Sequence, residues 1–298
     1  MSQPPATLFD SAALAKRAAR AARHWPASDF LHARAAEGIA ERMADAPRSF
    51  PRLAVVGAGG GLVARALAAQ AGSGGVATMD AGAMAALAGG VAGDEPIALG
   101  EGGFDAVASG LWLHRANDPV GALIQMRRLL RPDGMMVAAA FGGRTLHELR
   151  AAWAEAEIEV EGGVSPRVHP MADLREMGAL LQRAGFHMPA ADVERLTVDY
   201  ADPFALMRDL RLMGEANAMT ARRRTFTRRA TMLRMAEIYA RHFGRADGRV
   251  TATFEIVYLA GWSPGPEQPQ PRRPGSARAR LADALGTFEM PAGEKAGR

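Results

Sequence analysis

The chain of 298 residues contains no cysteine. Disulfides, thiolate metal sites and cysteine nucleophiles are excluded together. Lysine is almost missing as well. Lys16 and Lys295 are the only two, so arginine carries the positive charge. Arginine keeps that charge at every working pH and presents a planar donor fork. Aromatic residues make up 6% of the chain, so the apolar 48% is mostly aliphatic. No apolar run reaches the roughly 18 residues of a membrane-spanning helix. Neither the HExxH pattern of zinc proteases nor the GxSxG elbow of serine hydrolases occurs. No metal site is therefore expected. A net charge of +4 is small and does not point to nucleic acid, although weak attraction to acidic partners or a peripheral membrane surface fits it.

What the chain does have is glycine, placed with order. The run from Leu53 to Gly61, LAVVGAGGG, feeds a helical pattern, LVARALAAQA. Gly57, Gly59 and Gly61 allow a sharp turn and close backbone approach, and the helix that follows offers free N–H groups. A strand-like segment, VATMD, ends at Asp80. An acid at that place can accept both ribose hydroxyls of a nucleoside, although capping a helix over 82–88 accounts for it about as well. Asp94 and Glu95 come next, with Asp94 suited to an adenine amino group. Together these acids, in register with the glycine loop, favour a nucleotide-type ligand.

Apolar patterning divides the chain further. Residues 11–45 read as two helices broken near Pro26. The first is basic and Ala-rich, with Leu14, Ala18, Ala21, Ala22 and Trp25 on one face. That is also how a transit peptide reads, but the face continues into Phe30 and Leu31 without a small-residue cleavage site, which favours a packed helix. Strands are predicted over 53–57, 76–80, 96–99, 104–109 and 135–141, with helices over 61–71, 82–88 and 118–130 between them. Such alternation predicts a mostly parallel sheet covered by helices on both faces. Beyond it, a helix over 145–159, a Gly/Pro-punctuated loop over 161–170 and a helix over 171–184 ending at Gly185 are expected. A strand over 191–200, a Met-rich helical stretch over 203–243 and a strand over 250–262 complete the pattern. The segment after Trp262 is rich in Pro and Arg and is expected to be disordered.

Further candidates sit at the carboxyl ends of the strands, where open α/β sheets bind ligands. Ser109 and His114 follow the fourth strand. Thr145, Glu148 and Arg150 follow the fifth, and Arg167 and His169 lie in the 161–170 loop. His114 suits an acid–base group or a cofactor contact, or a polar residue lining the crevice without chemistry. The residues after the fifth strand and in the loop suit a substrate wall, while a solvated helix face accounts equally for Thr145, Glu148 and Arg150.

These residues resemble a class I S-adenosylmethionine-dependent methyltransferase. The segments FGGRTLHELR, EGGVSPRVHP, LLQRAGF, MRDLRLMGEANA and VTATFEIVYLAGW resemble more narrowly the methyltransferase-like respiratory complex I assembly factor 5 family and its bacterial relatives. The resemblance covers roughly residues 8–262. It implies an α/β fold with a Rossmann-like, seven-stranded, mostly parallel sheet. It also implies N-terminal helices over 1–46, a methyltransferase-like domain over 47–262 with a helical insertion over 203–248, and a tail over 263–298. S-adenosylmethionine is the implied cofactor, held by Gly57, Gly59, Gly61, Asp80, Asp94, Glu95 and Ser109. The implied partner is a protein substrate, such as a complex I subunit bearing a target arginine. Location would be the cytoplasm of a bacterium or the matrix of a mitochondrion. On this basis His114 and Glu215 are the expected catalytic groups, removing a proton from the acceptor. Thr145, Glu148, Arg167 and His169 would contact substrate. One departure stands out: the family's acid before the first loop glycine is replaced by Val55 or Val56. Arginine hydroxylation, a non-catalytic assembly chaperone and a malonyl carrier-protein O-methyltransferase are the alternative readings.

Overall fold

The computed structural model describes residues 7–25, 28–69, 71, 75–93, 95–266, 268 and 286. Asp94 and nearly all of the expected tail lie outside these residues. The described residues up to Pro266 form one compact unit.

Seven strands form one sheet. They are β1 (Leu53–Val56), β2 (Val76–Asp80), β3 (Val91–Ala92), β4 (Phe104–Gly110), β5 (Leu130–Phe141), β6 (His187–Tyr200) and β7 (Val250–Trp262). Their order is β3-β2-β1-β4-β5-β7-β6. The first five run parallel, and β7 lies antiparallel between β5 and β6. The expected α/β class and mostly parallel sheet are both present. Two sequence expectations fail. The third strand is Val91–Ala92, not 96–99, and both of its residues are exposed. The chain does not stay helical over 203–243. It forms α8 (Pro203–Met213) and α9 (Arg229–Phe243), joined by an irregular segment that begins at Gly214.

The period-two alternation of the strands divides the core into two layers. Leu53 and Val55 of β1, Ala106 and Ala108 of β4, and Val137 and Ala139 of β5 face one layer. Ala54 and Val56, Val107, and Ala138 and Ala140 face the other. Helices α2 (Phe30–Ala44), α6 (His147–Glu161), α8 and α9 cover the first layer. Helices α5 (Pro119–Leu129) and α7 (Leu174–Arg183) cover the second. Each large aliphatic side chain buried this way contributes about 1.5–3 kcal/mol. Helix starts follow the expected chemistry. Asp118 accepts from the Gly121 N–H ahead of Pro119, and Asp173 and Glu176 form a reciprocal capping box on α7.

Gly38 of α2 marks a close approach to β7. A Cβ there would lie 2.2 Å from the Tyr258 hydroxyl and 2.4 Å from its Cζ, and Tyr258 is itself fully buried. Alanine ordinarily favours a helix over glycine by about 1 kcal/mol. Overpacking against a fixed ring costs about 1–3 kcal/mol. Gly38→Ala is therefore expected to lower the urea midpoint, and a raised midpoint would show that the helix has room to shift.

Candidate functional site

The strand β1 ends in the glycine loop. Gly57, Gly59, Gly60 and Gly61 all have positive φ, at +68°, +55°, +60° and +88°. At Gly57 a side chain is doubly excluded, because its Cβ would also lie 2.4 Å from the Trp112 Cβ. Asp80 ends β2, buried, with its carboxylate accepting from the Gly60 N–H at 3.2 Å and the Ala81 N–H at 2.8 Å. The alternative capping role for Asp80 does not apply, since Gly82 occupies the N-cap of α4 (Ala83–Ala88). Val55 and Val56 are wholly buried, one in each core layer.

The far side of the loop is covered by the chain's own N-terminal helices. Trp25, just after α1 (Ser11–Ala22), lies over Gly60, where a Cβ would sit 2.6 Å from the indole nitrogen. His32 of α2 lies over Gly59, and the rings of Trp25 and His32 meet edge to face at 4.9 Å. The space left among Gly59, Asp80, Met84, Gly110, His32 and Met213 is about 10 Å³. That is the room of one water at most. In this conformation the space beside the glycines and Asp80, where S-adenosylmethionine is expected from the sequence, is filled by protein.

Two other expected cofactor contacts are placed differently. Glu95 is exposed and accepts from the Asn117 and Asp118 N–H groups, so it ties the segment ahead of α5. Ser109 on β4 is fully buried, and its hydroxyl has no hydrogen-bond partner among the described residues.

The most charged feature of the site is Glu215. Gly214, at φ +87°, ends α8 in the left-handed region, and the Glu215 N–H bonds back to the Leu210 carbonyl at 2.9 Å. This turn sends the Glu215 carboxylate inward, where its side chain is 4% exposed. His114 Nε2 lies 3.2 Å from Oε2, while Arg115 Nη1 and His32 Nε2 lie 3.6 and 3.9 Å from Oε1. His114 and Arg115 come from a short 3₁₀ turn, Leu113–Arg115, at the carboxyl end of β4. Burial pushes the Glu215 carboxyl up, but His114, Arg115 and His32 outweigh it and hold the group well below the ordinary range. Burial lowers His32 to about 4, with Glu215 opposing and Arg115 and His114 assisting, so His32 is neutral at pH 7. The structure thus brings together the two expected catalytic residues. It also revises the role of one: a carboxylate held this acidic is a poor proton acceptor and a good fixed anion.

Beside Glu215 lies a small cavity of about 40 Å³, lined by Phe141, Thr145, Leu149, Arg167, His169 and Phe254 among others. Three of the four expected substrate residues line it, but they are largely engaged. The Thr145 hydroxyl donates to the Glu255 carbonyl and accepts from the Glu255 N–H. Arg167 pairs with Glu157, donates to Thr227 and lies 4.4 Å over the Trp153 ring. His169 Nε2 accepts from the Ala218 N–H at 2.8 Å, and burial lowers this ring to about 4. Glu148 is corrected outright. It is buried in the core, bonded to the Thr253 hydroxyl, and does not line the cavity. Sequence reasoning missed His32 and Arg115. The adjacency of Arg115 to His114 was a usable signal, whereas nothing local distinguishes His32. Among the described residues no three His, Asp or Glu side chains are arranged to hold a metal ion.

Comparison with known proteins agrees with this layout. A family model described as a methyltransferase domain matches residues 54–138. The arginine-hydroxylase NDUFAF5 of Danio rerio is 36% identical over 267 residues, 86% of this chain and 82% of that protein. The Homo sapiens protein of the same name is 37% identical over 90% of this chain and 80% of its own length. A malonyl-[acyl-carrier protein] O-methyltransferase of Halorhodospira halophila is 40% identical over only 54% of this chain and 53% of its own. Among solved structures, the Bacillus halodurans protein BH2331, described there as a methyltransferase, superposes with a TM-score of 0.54. It is 15% identical and covers 76% of this chain and 98% of its own. That likeness establishes the fold alone. The long, near end-to-end relatives establish more: the chain belongs to the NDUFAF5 arginine-hydroxylase family, built on a methyltransferase fold.

Proposed function

We propose that this chain modifies an arginine side chain of a protein during respiratory complex I assembly, and that the modification is hydroxylation, the activity its NDUFAF5 relatives are named for. The observation that carries this reading is the Glu215 carboxylate. It is buried, anionic and beside the cavity, and its Oε1, ion-paired with Arg115 at 3.6 Å, accepts no hydrogen bond among the described residues. A guanidinium is the side chain whose planar donors match a carboxylate best. Arginine arriving there would meet an anion already fixed by His114 and Arg115, with Phe141 and Phe254 excluding water.

Methyl transfer is the second reading, supported by the glycine loop and Asp80. S-adenosylmethionine is the ligand proposed for that loop, and it requires Trp25 and His32 to withdraw from Gly60 and Gly59. No chemical step is assigned through it. In cells carrying or lacking the gene, tandem mass spectrometry of complex I subunits separates the readings. One added oxygen on an arginine, dependent on the gene, is the expected result. A gene-dependent added methyl group would favour the second reading instead. Identical arginines in both cells would overturn enzymatic modification and leave an assembly chaperone.

A further inference from the structure

Arginines gather on one side of the molecule in a way that the cavity at Glu215 does not use. A groove of about 420 Å³ opens between α1, α6, α8 and the segment after Gly214. Arg17, Arg20, Arg167, Arg211, Arg222 and Arg223 line it, and no Asp or Glu is among its lining residues. Three of these cations are already neutralised: Arg167 by Glu157, Arg222 by Asp10 and Arg223 by Glu161. Arg17, Arg20 and Arg211 have no carboxylate partner among the described residues. Arg17 donates one nitrogen to the Asn217 carbonyl, and its Nη1 is buried without any partner. Burial, and after it Arg222 and Arg20, disfavour its charge, with only the Asp10 carboxylate opposing them. Clustered cations without counter-ions repel one another, and an arriving anion relieves that repulsion.

The floor of the groove is apolar. Leu149, Trp153, Met207, Leu210 and Met232 contribute to it. Leu149, Leu210 and Arg167 also line the cavity beside Glu215, so the two spaces share a wall. We propose that this groove binds an acidic peptide segment with interleaved apolar side chains, the flank of the chain whose arginine reaches Glu215. The pairing of the groove with that arginine rests on the reading above, but the groove's own affinity for acidic peptide does not. A peptide suits it better than a membrane because the apolar floor is recessed between arginines, whereas a bilayer is met by protruding apolar groups. Phe226, wholly exposed on the neighbouring Arg-rich segment, is such a group and makes a lipid surface the rival to test.

The test uses the full chain and a fluorescein-labelled twelve-residue peptide of alternating Glu and Leu that contains no arginine. Fluorescence anisotropy should give saturable binding that weakens with salt, as an ionic contact requires. An otherwise equal peptide with Gln for Glu should bind at least tenfold more weakly. Arg20→Gln/Arg211→Gln should cost at least tenfold in affinity, while Arg20→Lys/Arg211→Lys should retain most of it. Neither arginine makes an ion pair in the fold, so thermal unfolding of these variants should match the wild type. Equal binding of the two peptides, or unchanged binding by the Gln variant, would overturn the proposal. So would binding to phosphatidylglycerol vesicles, lost in Phe226→Ser, with no peptide binding. Because the probe lacks arginine, its failure bears on the groove alone, and the mass spectrometric result bears on the arginine chemistry alone.

Discussion

Replacing Glu215 with glutamine is expected to destabilise the protein by about 3 kcal/mol at pH 7, the lower end of what removing one partner of a buried ion pair costs. The carboxylate is 4% exposed and Arg115 only 16% exposed, so neither is well served by water. The introduced amide would still meet His114 but would leave the Arg115 guanidinium without its anion. Removing the buried carboxylate also removes its own desolvation penalty, an opposing effect. That gain wins only when all the charged partners leave together. The double variant Glu215→Gln/Arg115→Gln should therefore be more stable than the sum of the two single changes, by about 1–3 kcal/mol of coupling. Urea unfolding of the four proteins measures it. If Glu215→Gln stays within about 0.5 kcal/mol of the wild type, the carboxylate is solvated in solution and the fixed-anion role fails.

Local signals were legible in the sequence, and return paths were not. Strand β1 and the MMVAAAF part of β5 are continuous apolar runs, β2 and β4 are short mainly apolar segments, and the glycine loop sits between a strand and a helix, so most of the parallel part of the sheet could be read directly. The third strand could not, because Val91 and Ala92 are held by only two backbone pairings to β2 and bury no apolar face. The break after Met213 was marked only by Gly214, in a stretch whose apolar periodicity continues beyond it. In the candidate site, His114 and Glu215 could be named but not joined, since they are 101 residues apart. His32 is farther still from Glu215 in sequence, on an N-terminal helix that packs over the glycine loop. Thr145 and Glu148 carry polar groups at the right strand end, yet the fold commits them to β7, through Glu255 and Thr253. Sequence alone cannot tell a polar group that meets a ligand from one that satisfies a neighbouring strand.

Acid should weaken this fold well above the pH at which carboxylates ordinarily protonate. His32 and His169 both have their pKa lowered from 6.5 to about 4, chiefly by burial. For a histidine lowered in the folded state, both states are neutral above pH 6.5 and the ring adds no pH dependence there. As pH falls from 6.5 towards 4, the unfolded chain takes up a proton that the folded chain refuses, and stability drops. Below about 4 the folded ring also protonates and the loss levels off. A fall from 6.5 to about 4 corresponds to a loss on the order of 3 kcal/mol for each ring. The groups facing His32 are Glu215, which would help it charge, and Arg115 and His114, which oppose it. Those facing His169 are Glu215 on one side and His114, Arg17 and Arg115 on the other. His169 has a further reason to stay neutral, because its Nε2 must accept from the Ala218 N–H and a protonated ring has no acceptor. Glu215, lowered rather than raised, adds its own loss only below the ordinary glutamate value of 4.5, so the upper window belongs to the histidines. Urea midpoints at a series of pH values between 7 and 4 should fall steeply across that window. In His169→Gln the amide oxygen can accept from Ala218 at any pH, so about half of the slope should vanish while stability at pH 7 changes little. A flat profile between pH 6.5 and 4 would mean that both rings reach water in solution. The closure of Trp25 and His32 over the glycine loop would then be an opening equilibrium rather than a packed state.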